Sequence, residues 1–163
     1  MKEKNKALCE RYPFLIPHNR WSGKKITDAA DGGYWPGDPS AVPQYDYEFT
    51  ELDNMPEGWR IAFGEDLCSE LLEELVANDF LDRYMITDIK EKFGSLRWYD
   101  NLNTKHGYEI IGKYCAMSKR TCILCGKPAT RISCGWISPY CDDCIGDNES
   151  WPIEEYFAEV ESD

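Results

Sequence analysis

Four of the chain's eight cysteines stand as Cys122-x-x-Cys125 and Cys141-x-x-Cys144, with fifteen residues between the pairs. Each C-x-x-C curls into a tight turn that aims two thiolates at one point, and two such turns complete the tetrahedron that Zn²⁺ takes in a structural site. A shell of four thiolates leaves no position for water or substrate, so the predicted metal is architectural: it neither generates hydroxide nor polarises a carbonyl. The competing readings are two disulfides, which need an oxidising compartment, or a redox dithiol, which is expected beside a βαβ pattern. The opening residues MKEKNKALCERYPF are followed by no apolar run of signal-peptide length, and no stretch reaches the length of a membrane span. The expectation is a protein of the reducing bacterial cytoplasm, without a membrane partner. Cys134 lies between the two pairs without a C-x-x-C mate and reads as a buried thiol, while Cys9, Cys68 and Cys115 read as ordinary small core or surface residues.

Around this centre the expected fold class is α+β. It comprises a small helix and β-hairpin core, an irregular aromatic-rich N-terminal wrap, and a C-terminal zinc ribbon or treble-clef-like module. The division is an α+β domain over residues 1–120, mostly irregular over 12–60, and a zinc-binding module with an acidic tail over 121–163. Residues 12–60 hold six of the nine prolines together with many Gly, Asp and Asn, which favour turns. There Tyr12, Phe14, Trp21, Tyr34, Trp35, Tyr45, Tyr47 and Phe49 are placed to pin an irregular segment onto a regular core. Asn54 and Pro56 open a short helical turn, which Gly64 separates from a helix over 65–81. On that helix Leu67, Leu71 and Leu75, with Cys68, Leu72 and Val76 beside them, form the buried stripe. Residues 84–99 read as a β-hairpin with Met85 or Ile86 and Ile89 on one strand, Gly94-Ser95 near the turn, and Leu96 and Trp98 on the other. A second helix covers 104–119. Ala129–Ser133 and Trp136–Tyr140 form a short hairpin between the ligand pairs, and a terminal helix covers 151–160.

Charge separates along the chain. Residues 105–131 carry six Lys/Arg against one acid, residues 142–163 carry nine acids and no Lys/Arg, and residues 1–104 contribute 12 − 20 = −8; with +5 and −9 these sum to the net −12. A surface this acidic repels phosphate and attracts a basic partner surface. The acidic candidates for such a contact are Asp147, Glu149, Glu154, Glu155, Glu159 and Glu161. The alternative is a nucleic-acid-binding ribbon that uses Lys90, Lys92, Arg97, Lys119, Arg120, Lys127 and Arg131, since affinity for nucleic acid is dominated by cation contacts to the backbone. Catalytic signatures are sparse. His18 and His106 are the only histidines, Asp31-Gly-Gly-Tyr34 and Gly37-Asp-Pro-Ser40 match no phosphate-binding loop, and Asp88-Ile-Lys90 is a bare D-x-K of the kind used by metal-dependent nucleases.

Residues 89–99 (IKEKFGSLRWY), 118–128 (SKRTCILCGKP) and 135–144 (GWISPYCDDC), with 12–15 (YPFL), 45–47 (YDY) and 50–59 (TELDNMPEGW) upstream, resemble a largely uncharacterised group of small bacterial and phage-borne proteins that end in a four-cysteine zinc ribbon. The resemblance implies a mobile-element setting in which small acidic proteins act by binding a host factor. The expected function is therefore a non-enzymatic, zinc-stabilised protein-binding module, an antagonist of a host nucleic-acid-binding or defence protein. Nucleic-acid binding is the alternative, and a nuclease around Asp88 and Lys90 a more distant one.

Overall fold

In a computed structural model the chain is described over residues 3–18 and 50–160. Its architecture is α+β: helices packed against a two-stranded antiparallel hairpin, with a three-stranded antiparallel sheet beside the clustered cysteines.

The longest helix, α2 (Glu57–Ala77), presents Trp59, Phe63, Leu67, Leu71 and Leu75 to the core, each at most 1 % exposed. Each fully buried leucine of this stripe contributes about 1.5–3 kcal/mol relative to exposure. A four-residue repeat overshoots the 3.6-residue turn by about 40°, so the companion stripe drifts outward: Cys68 is buried and Val76 is exposed. Gly64 does not interrupt the helix, in contrast to the sequence expectation. It lies in the helix interior, where a Cβ would sit 3.3 Å from the Arg60 side chain and at ordinary contact distance, 3.9 Å, from Leu8 of α1 (Glu3–Arg11), and α2 carries its helical cost. The helix also ends four residues early. Phe80 N–H bonds to Leu75 O and Asp79 N–H to Val76 O, with Asp79 at φ 50°, which is a Schellman stop built on aspartate where glycine is usual.

Two short 3₁₀ turns, Pro13–Leu15 and Glu51–Asn54, close the N-terminal side. Thr50 Oγ1 donates to Leu15 O at 3.0 Å, and Asn5 donates to Asp53 at 2.7 Å, which ties α1 to the segment leading into α2. Tyr12 and Phe14 are buried as the wrap expectation requires; Trp21, Tyr34, Trp35, Tyr45, Tyr47 and Phe49 lie outside the described residues.

Strands β1 (Ile86–Lys92) and β2 (Ser95–Asp100) form the hairpin, with Lys92 opposite Ser95. The two-residue turn is Phe93-Gly94, one residue earlier than read from the sequence, and both residues have positive φ, 51° and 72°. A two-residue loop of this kind matches the twist of the strands only with both central residues left-handed, so Phe93 carries backbone strain that a glycine or asparagine avoids. A bulge between Ile86 and Asp88 shifts the alternation by one, which lets Ile86 and Ile89 both reach the core despite their odd spacing.

Helix α3 (Lys105–Ser118) starts at Thr104, whose hydroxyl accepts from Gly107 N–H at 3.0 Å. It packs on α2 through Phe63 and Tyr114, with ring centroids 5.4 Å apart, and on β2 through Ser118, whose hydroxyl accepts from Leu96 N–H at 2.8 Å. Beneath the hairpin, Trp98 donates its indole N–H to Tyr84 at 3.0 Å and Tyr84 donates to Asp100 at 2.7 Å. Burial raises the Asp100 carboxyl above its ordinary range despite the donors from Tyr84 and Leu102. Tyr84→Phe leaves the buried Trp98 indole without its acceptor and removes the tyrosine donor from Asp100, which keeps that of Leu102. The expected loss is about 1–3 kcal/mol in chemical denaturation; an unchanged midpoint would show that the network adds nothing to stability.

Candidate metal centre

The first cysteine pair sits in a tight knuckle. Cys122 N–H bonds to Lys127 O at 2.8 Å and Gly126 N–H to Cys122 O at 3.0 Å, with Thr121 bridged to Pro128 and Gly126 at φ +78°. The left-handed glycine turns the chain back so that both side chains point inward. The second pair belongs to the first turn of α4 (Asp142–Ile145): Cys141 is its N-cap residue, and Cys144 N–H bonds to Cys141 O at 3.0 Å. Between the pairs run β3 (Arg131–Ser133) and β4 (Pro139–Tyr140), and β5 (Ser150–Pro152) adds to the free edge of β3 before α5 (Ile153–Val160). A knuckle, a hairpin and a helix-borne second pair form the treble-clef-like order.

The four sulfurs all lie within 4.8 Å of one another, and Cys125 Sγ and Cys141 Sγ are 3.6 Å apart. Tetrahedral thiolates at a metal–sulfur distance of about 2.3 Å stand about 3.8 Å apart, so the cluster is the size of a metal shell. Electrostatics suit it as well. Burial pushes the Cys122 thiol up, but backbone hydrogen bonds from the Cys125, Cys141 and Leu124 region outweigh that and hold it at about 7. Cys144 is pushed up to about 12, chiefly because its thiol is hydrogen-bonded to Cys141 and Cys125. A cation bound among these sulfurs takes the thiolate form, so metal binding there is coupled to proton release. Among the described residues this is the one group of three or more Cys, His, Asp or Glu placed to hold a metal. Cys134 is half-buried outside it, Cys9 and Cys68 are buried, and Cys115 is half-buried.

The knuckle is joined to α2 by contacts that the sequence did not announce. Gly58 N–H bonds to Ile123 O at 2.9 Å, and Trp59 donates its indole N–H to Thr121 O at 2.9 Å. Gly126 approaches the same turn of helix so closely that a Cβ there would lie 2.7 Å from Gly58 O. The division expected after residue 120 thus separates segments that share these contacts. In the sequence the Pro-Glu-Gly-Trp run reads as part of a short helical turn, and only the fold shows that its glycine faces the knuckle.

The basic candidates are dispersed. Lys90 pairs with Asp88, Arg120 with Glu154, and Lys127 with Asp143, and Arg131 bonds to Ser150. Lys92 lies over the Phe93 ring at 5.6 Å. Arg97 and Lys119 have no carboxylate partner among the described residues, and both line one cleft. For the D-x-K reading, Asp88 has its own Lys90 as ion-pair partner. Of the acidic candidates, Asp147, Glu149, Glu155 and Glu159 are exposed, Glu154 is engaged by Arg120, and Glu161 lies outside the described residues. Among the described residues no helix is long and apolar enough to cross a membrane. No protein-family model, curated protein or solved structure matches the chain.

Proposed function

We propose that this chain is a non-enzymatic, zinc-stabilised protein-binding module, with Zn²⁺ held by Cys122, Cys125, Cys141 and Cys144. The observation that carries this reading is the closed shell of four sulfurs. Thiolate sites of this geometry favour Zn²⁺ among the available divalent ions, and a shell with four protein ligands has no place for a substrate. The metal then fastens the knuckle to the N-terminal turn of α2 and holds two short strands that alone would be marginal.

Its recognition surface in this reading is acidic. Asp147, Glu149, Glu155 and Glu159 project from the loop and helix that follow the centre, and a partner with a basic surface complements them. The bacterial or phage-borne setting implied by the sequence resemblance makes a host nucleic-acid-binding or defence protein the partner of choice. The nucleic-acid reading is weaker, because Lys90, Arg120 and Lys127 each already face a carboxylate and the chain's net charge is −12.

Affinity capture of the zinc-loaded full chain from bacterial lysate, with and without nuclease, tests this. A stoichiometric protein that survives nuclease, and is lost when Asp147, Glu149, Glu155 and Glu159 are all changed to lysine, is the expected result. Recovery of nucleic acid alone, or full binding by the charge-reversed variant, would refute the acidic-surface reading.

A further inference from the structure

Between the hairpin turn, β3 and α5 lies an open cleft of about 200 Å³. Phe93, Ile132, Ile137 and Phe157 give it apolar walls, Ser95 and Tyr156 add hydroxyl-bearing side chains, and among the described residues its only charged lining groups are Arg97 and Lys119, with no Asp or Glu. Glu91, on the strand leading into the turn, is directed elsewhere: one oxygen accepts from Gly94 N–H at 2.7 Å and the other from the Trp136 indole at 3.1 Å. Arg97 spends one guanidinium nitrogen on Ser95 Oγ at 3.1 Å, which orients the fork and leaves its other donors unassigned.

Two cations without a carboxylate partner among the described residues, beside a largely apolar hollow, form a site for a small anion with an apolar body. The volume is below the roughly 300 Å³ at which drug-sized sites begin, so the hollow holds one ring or one branched side chain. A polynucleotide would meet the chain's net charge of −12. A carboxylate attached to an apolar side chain matches both halves of the site, and the guanidinium fork suits carboxylate geometry. Beside the hollow, Phe93 is 72 % and Trp136 76 % exposed, and the Glu91 bridge ties Trp136 to the turn that forms one wall. A free acid would leave those rings idle; a polypeptide leading out of the hollow passes over them.

We infer that the Arg97–Lys119 cleft captures the C-terminal residue of a partner polypeptide, its carboxylate on the two cations and its apolar side chain among Phe93, Ile132, Ile137 and Phe157. This rests on the protein-binding reading and gives it a second contact, separate from the acidic surface.

The test is fluorescence anisotropy of zinc-loaded full chain with an N-terminally labelled peptide, Gly-Ser-Gly-Ser-Leu-Phe, carrying either a free C-terminal carboxylate or an amide. N-acetylphenylalanine and a ten-residue oligothymidylate serve as competitors. Loss of one charge-assisted hydrogen bond weakens binding by about tenfold or more, so the amide, and Lys119→Gln with the free acid, are each expected to bind at least tenfold more weakly. Lys119 is exposed at the end of α3, so the variant is checked for an unchanged melting temperature; Arg97→Lys, which keeps the charge and loses the fork, supplies a second reading with an intermediate loss. Equal binding of acid and amide, no binding at millimolar peptide, competition by N-acetylphenylalanine as strong as by the peptide, or stronger competition by the oligonucleotide would each overturn the inference. If the peptide fails while lysate capture still yields a protein lost on tail charge reversal, the cleft assignment falls and the protein-binding reading stands.

Discussion

Cys125→Ser is expected to abolish stoichiometric zinc and to unfold the chain from the knuckle onward. The apparent binding free energy of a structural Zn²⁺ in a small module is about 10–16 kcal/mol, comparable to the whole stability of an ordinary domain, about 5–15 kcal/mol. The module has little else to rely on. Its second core cluster contains only Ala129, Ile132 and Ile153 as buried members, with Ile137, Tyr156 and Phe157 packed against them, and its strands are two or three residues long. Chelation should therefore act like the mutation. The N-terminal turn of α2 should loosen with the knuckle, because Trp59 and Gly58 bond to Thr121 and Ile123, whereas the deeper stripe at Leu67, Leu71 and Leu75 should keep its protection. Hydrogen exchange read residue by residue, together with metal analysis, checks both parts. Cys134→Ser is the control, since that thiol stands outside the cluster; if it depletes zinc as fully as Cys125→Ser, or if Cys125→Ser retains one zinc per chain, the four-sulfur assignment is wrong.

The cluster of four cysteines was legible because coordination imposes its spacing on sequence. Two C-x-x-C turns must converge whatever surrounds them, and helices such as α2 and α3 announce themselves through apolar periodicity that burial demands. The misreadings lie where tertiary contact overrides a local preference. Gly64 reads as a break, yet it lies inside a continuous helix whose buried stripe outweighs a propensity cost of about 1 kcal/mol. Asp79 takes the left-handed stop position where glycine is the usual signal, so the end of α2 is displaced in the sequence reading. Phe93 occupies a turn position that disfavours it on backbone grounds, and its exposed ring gives a reason connected with the cleft and not with folding. The basic candidates are dispersed in the fold for a different reason. Linear charge counts register Arg120 and Lys127 as available, while Glu154 and Asp143, 34 and 16 residues away, approach within salt-bridge distance only in the fold. Arg97 and Lys119 were among the same candidates, and only packing distinguishes them.

Gly58→Ala should be nearly as damaging as losing a ligand, although it adds a single methyl group at an unremarkable helix start. The added Cβ would stand 2.1 Å from Cys122 O and 2.7 Å from Ile123 C and O, all backbone atoms of the knuckle. Backbone cannot swing aside as a flexible side chain does, and the site is held on both sides: Gly58 N–H is bonded to Ile123 O, and Gly126 abuts Gly58 O at the position its own Cβ would take. Relief requires the knuckle to move off the helix, which breaks the Trp59–Thr121 bond and tilts Cys122 within the sulfur cluster. Overpacking costs about 1–3 kcal/mol in a core that can adjust, and more where it cannot. The expected loss here is therefore about 3 kcal/mol or more, a fall in melting temperature of roughly 6–12 °C for a chain of this size, accompanied by weaker zinc retention against a competing chelator. Gly112→Ala is the matched comparison. It lies in α3 with nothing within 4 Å of the new methyl, so the same chemical change should stabilise by about 0.5–1 kcal/mol through helix propensity alone. Equal melting temperatures for the two variants would show that the knuckle does not bear on α2 as closely as these distances require.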